Sequence, residues 1–101
     1  MPPVMALAHG LALLGGRRAP RSSDVADAAL VTVDLRERGW AVVASPERGS
    51  DAERLGALAV CLAILARVAK PTPRIQSDAE ALLVHLRSMA FDLVVCPAVA
   101  P

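Results

Sequence analysis

At 101 residues the chain holds one domain, or one subunit of a larger assembly. An apolar fraction of 54% excludes disorder of the low-hydrophobicity kind, and a formal net charge of +1 offers no global field for nucleic acid or an anionic membrane. Trp40 and Phe91 are the only aromatic rings besides His9 and His85, so the core must be built from many small Ala, Leu and Val contacts.

Residues 3–15 open the chain with Val4, Leu7, Ala8, Leu11 and Leu14 at helical spacing, with Pro3 suited to a first turn and Gly15 to a C-cap. Gly10 weakens this helix by about 1 kcal/mol, and a strand over 4–14 ending at Gly15-Gly16 is the alternative. The segment lacks the basic start and small-residue cleavage site of a signal peptide. The charge-free run 55–66 is shorter than the ~20 residues a membrane span requires, and a cytoplasmic protein is expected.

A basic loop follows: Arg17, Arg18 and Arg21, then Ser22 and Ser23 at a helix start. Free N–H groups and the dipole at a helix N-terminus attract anions, and guanidiniums add bidentate contacts. The helix itself is expected from about Ser23-Asp24 to Arg38, with acidic residues in its first turn, arginines in its last, and Gly39 as the residue beyond its C-cap. A strand over 40–45 comes next. Arg48 and Ser50 then lead into another helix and join the same candidate anion site.

The tetrads Ser50-Asp51-Ala52-Glu53 and Ser77-Asp78-Ala79-Glu80 both fit a capping box, predicting helices over 51–69 and 78–89. The first is apolar nearly all round, a pattern normally buried, so Leu55, Leu58, Leu62 and Leu65 are candidates for a subunit interface. The second leads into a strand over 91–96, where Asp92 reads as the exposed first residue. Both strands are nearly continuously apolar, which suits a sheet covered on two faces. Cys61 and Cys96 sit in apolar runs and read as buried thiols, with a disulfide as the alternative.

The stretches LRERGWAVVASP (35–46) and LRSMAFDLVVCP (86–97) lie 51 positions apart and share Leu, Arg, Val and Pro. With a first helix, the chain reads α-α-β twice, giving a small helix-rich α/β domain with a candidate repeat of 1–50 in 51–101. With a first strand, the fold is instead a three-stranded parallel sheet.

Phosphate-loop, dinucleotide, nucleophile-elbow, zinc-protease and paired-cysteine motifs are absent from the sequence, and no cofactor or metal is expected. Residues 78–101, through Phe91-Asp-Leu-Val-Val-Cys-Pro97, resemble the second helix and third strand of response-regulator receiver domains. Pro97 stands where that family has its phosphoacceptor Asp. Ala8-His9-Gly10 with Arg38-Gly39-Trp40-Ala-Val-Val43 is similar to the start of an α/β-hydrolase, without a nucleophile elbow. Both resemblances imply α/β packing and carry no activity across.

The functional expectation is a non-catalytic interaction or regulatory module that forms a homo-oligomer or binds a protein partner through the apolar helix. The alternative is a phosphate- or nucleotide-handling enzyme using the arginine loop on a small phosphorylated ligand. Nucleic acid and membrane are not expected partners.

Overall fold

The computed structural model describes residues 1–44 and 51–95. In chain order its elements are α1 (Pro3–Leu14), α2 (Ser22–Glu37), β1 (Trp40–Ala44), α3 (Asp51–Leu65), α4 (Pro73–Ser88) and β2 (Phe91–Val95). Residues 4–14 are helical, so the reading of them as a strand does not stand. The expected Ser50 cap and strand ends at Ser45 and Cys96 lie outside the described residues.

Each helix ends for a local reason. Gly10 is tolerated within α1 because α4 packs close against it: a Cβ there would collide with Leu82 Cδ1 and lie 3.3 Å from His85 Cδ2. Asp24, in the first turn of α2, accepts a 2.8 Å hydrogen bond from the Arg21 N–H, so the helix begins at Ser22. Gly39 follows its C-cap Arg38 at φ +87°. α3 stops at Leu65 rather than 69, because Arg67 turns left-handed and Val68 N–H closes back on Ala63 O at 3.1 Å.

The predicted start of α4 at Ser77 is also corrected. The helix begins at Pro73, where a missing N–H costs nothing, and Thr72 Oγ1 accepts from Ile75 N–H at 3.2 Å. Ser77 and Glu80 are therefore interior helix residues, and this capping box does not form.

β1 and β2 make a two-stranded antiparallel sheet, pairing Trp40 with Val95, Val42 with Leu93 and Ala44 with Phe91. The parallel sheet is thus overturned. A single crossover helix returns the chain for a parallel strand, whereas the two helices between β1 and β2 reverse it twice.

The helices pack in a ring, α1 on α2 and α4, and α3 on α4 and α2, while α2 packs against β1 and α4 against β2. Leu7, Leu35, Leu58, Leu82, Leu86 and Leu93 are fully buried at its centre. Each such burial contributes about 1.5–3 kcal/mol. Ala8, Ala12, Ala28, Ala59, Ala63 and Ala79, also buried, bring the helix axes close.

The two halves keep one spacing. α2 and α4, and β1 and β2, begin and end 51 positions apart, and α1 and α3 end at Leu14 and Leu65. The left-handed residues obey it too, Gly16 with Arg67 and Gly39 with Ala90.

Ala90 is a non-glycine at φ 63° where the matching residue is Gly39. Ala90→Gly should raise the denaturant midpoint, with a gain of up to about 1 kcal/mol, and Gly39→Ala should cost a similar amount. Gly10→Ala should destabilise, by up to about 3 kcal/mol from overpacking, in spite of alanine's better helix propensity.

Candidate functional site

Asp92 is the clearest departure from the sequence expectation. It is 1% exposed rather than an open strand end. Its Oδ1 accepts from the Leu93 N–H at 2.8 Å, and Arg54 Nε, 3.5 Å from that oxygen, donates to Leu93 O at 2.8 Å. The Arg54 guanidinium also lies 5.5 Å from the centre of the Trp40 ring. On the other side Arg87 Nε is 3.4 Å from Asp92 Oδ2, and Arg87 Nη2 donates to Asp51 Oδ1 at 2.8 Å. The Asp51 hydrogen bond holds the Arg87 pKa above its ordinary range.

This clasp joins the first turn of α3, the last turn of α4, and β2. Arg54 sits near the positive end of a helix dipole, where a cation is unfavourable. An arginine there and an aspartate inside an apolar strand were the signals in the sequence. Their meeting depends on the fold.

The clasp blocks one sheet edge. A strand residue sends its N–H and C=O to the same side, and in an antiparallel pair alternate residues point them outward. Leu93 gives both groups to Asp92 and Arg54, so Val42–Leu93 is a non-hydrogen-bonded pair and its groups face the two sheet edges. The carboxylate and guanidinium meet Leu93 as a neighbouring strand would. The residue of β1 matching Asp92 by the 51-residue spacing is Ala41, and the one matching Arg54 is Pro3; neither can supply such groups.

The arginine loop is brought together in part. Arg17 bonds through its guanidinium to Asp24, and both the Arg21 N–H hydrogen bond and that contact hold the Asp24 carboxyl below its ordinary pKa. An arriving anion would meet this carboxylate at the start of α2. Arg18, Arg21, Ser22 and Ser23 are exposed there. Arg48 and Ser50 lie outside the described residues.

The candidate interface leucines divide. Leu58 and Leu62 belong to the core, while Leu55 and Leu65 are half-buried against it. The outer side of α3 forms, with α4, a groove of about 410 Å³ lined by Ala52, Gly56, Ala59 and Val60 among others. More apolar surface is open on α2, where Leu30 is 58% and Val33 56% exposed, with Ala26 also exposed on the same stripe.

His85 on α4 has a buried Nε2 without a hydrogen-bond partner; its burial, then the charge of His9, lower its pKa. Cys61 is a buried free thiol pushed up to about 11 by desolvation, then by Asp34. Cys96 lies outside the described residues. Among the described residues no cluster of His, Cys, Asp or Glu is placed to hold a metal, and no helix is long and apolar enough to cross a membrane.

Asp92 faces both Arg54 and Arg87, so Asp92→Leu should cost about 3–5 kcal/mol, while Arg54→Met, which leaves Arg87 beside the carboxylate, should cost less, as should the double variant. Urea unfolding of the three variants measures this. Stability should also follow pH in a defined way. The folded His85 resists protonation, so stability is complete above about 6.5 and falls as the unfolded chain takes up that proton below it. The folded Cys61 keeps its proton, so stability falls again as pH rises from 9.0 toward 11. Denaturant midpoints across this range test both limbs, and His85→Gln should flatten the acid one.

No protein-family model matches the chain, and neither a curated protein nor a solved structure does.

Proposed function

We propose that the chain is a non-catalytic interaction module that assembles with protein through the side of the molecule formed by α2 and β1. The exposed apolar stripe of α2 carries this reading. A surface helix normally turns one apolar stripe inward and a polar face to water. α2 buries Val31 and Leu35, yet leaves Ala26, Leu30 and Val33 open on another side. Neighbouring exposed aliphatic residues, as opposed to single ones, mark interaction surfaces.

α3, the helix first expected to assemble the protein, commits Leu58 and Leu62 to the core. Its outward contribution is limited to residues such as Ile64, 46% exposed. Charged substitutions at Leu58 or Leu62 therefore act on folding, whereas Leu30 and Val33 are exposed neighbours on one helix whose replacement leaves the core intact.

The architecture is read here as one α-α-β unit used twice. Shared element bounds, paired left-handed residues, and a strand register symmetric about Val42–Leu93 support it. A unit of this kind already joins its own copy strand to strand.

Leu30→Glu and Val33→Glu should lower the association state seen by sedimentation and leave the melting temperature within a few degrees of the original, since surface substitutions usually change stability by no more than about 0.5 kcal/mol. Leu58→Glu should unfold the chain. A monomeric wild type that retains no protein from a binding assay would contradict the reading.

A further inference from the structure

We infer that the free edge of β1 takes β1 of a second copy of this chain, giving a closed dimer with a four-stranded sheet ordered β2-β1-β1-β2. The inference rests on the assembly reading and names its partner. By antiparallel alternation Trp40, Val42 and Ala44 turn their N–H and C=O groups away from β2. Among the described residues, no side chain or loop backbone bonds these groups of Val42. An unpaired edge of this kind is a template for another strand, and proteins that avoid pairing place charge, proline or a bulge on it. Trp40–Ala44 carries none of these.

The occupant follows from the strand itself. Within one chain, β1 already pairs antiparallel with the strand at the corresponding place in the second half, centred on Val42 and Leu93. A second β1 offers the same backbone with no charge to place opposite itself. A two-fold axis at the edge sets Val42 against Val42 and Trp40 against Ala44, so every pair is uncharged. β2 cannot serve, because Leu93 is held by Asp92 and Arg54. One open and one blocked edge close the assembly at two copies, where two open edges would extend it into a fibre. α2 packs against β1, so the incoming copy also approaches the helix bearing Leu30 and Val33.

Ala44→Pro and Val95→Pro form a matched test. Both residues are exposed strand ends 51 positions apart, and both present an outward N–H that proline removes without touching the β1–β2 ladder. Sedimentation should show a dimer for the wild type and for Val95→Pro, and a folded monomer for Ala44→Pro. Hydrogen exchange on the unaltered chain gives an independent reading: Val42 amide protection should increase with protein concentration while that of Leu93 stays constant. A dimer that survives Ala44→Pro, with Val42 exchange independent of concentration, overturns the strand-edge dimer and leaves assembly through α2 standing. A dimer lost equally in Val95→Pro also overturns it. A wild type that stays monomeric at every concentration overturns the dimer, and the binding assay with other proteins then decides the broader reading.

Discussion

Leu93 is the point on which the architecture turns. Its side chain is buried under the helices, and its two backbone groups are bound by a buried carboxylate and a buried guanidinium. An edge strand in water satisfies these groups with solvent. Here the protein satisfies them with charged side chains from β2 and α3, and ties α4 in through Arg87. Because ionic groups lose hydration when buried, such a pair is tolerated only when further hydrogen bonds complete it. Leu93 supplies two of them, and the Trp40 ring covers one face of Arg54. The clasp therefore contributes less to net stability than to specificity: it fixes which strand edge is closed.

The rest of the fold follows from small residues. With two aromatic rings in 101 residues, burial must come from close approach, and alanines line the contacts between helices. Gly10 takes this furthest, admitting Leu82 and His85 to the axis of α1. The corresponding position in the second half is Cys61, whose thiol is buried between helices beside Asp34 and Arg38. Residues related by the 51-position spacing thus share element bounds from α2 and α4 onward and differ in side chain. The same holds at the sheet, where Asp92 closes one edge and Ala41 leaves the other without a carboxylate.

Much of the frame was legible in the residues. The spacing of Val4, Leu7, Leu11 and Leu14 gives the first helix, Gly39 marks the end of the second, and the runs at 40 and 91 give both strands. The start of α4 was not legible, because Thr72-Pro73 and Ser77 are both sound helix starts and only the packing of Ile75 in the core selects the earlier one. Strand direction was not carried by the runs themselves, since a continuous apolar run has no orientation; the two helices expected between the strands already pointed to an antiparallel pair, and the parallel alternative depended on reading 4–14 as a strand. Of the site, the arginine loop is where the sequence places it, but Arg17 already has a carboxylate partner in Asp24. The clasp was out of reach for a different reason. Asp92 and Arg54 are 38 positions apart and meet only once the fold brings the first turn of α3 within reach of β2.

The account turns on the inequality of the two sheet edges. Residue-resolved hydrogen exchange, carried out at a dilution where the chain is monomeric, measures it directly. The Leu93 amide, bonded to Asp92, should exchange slowly and the Val42 amide, turned away from β2, should exchange quickly. Equal rates at the two positions, or a faster Leu93, would contradict the account.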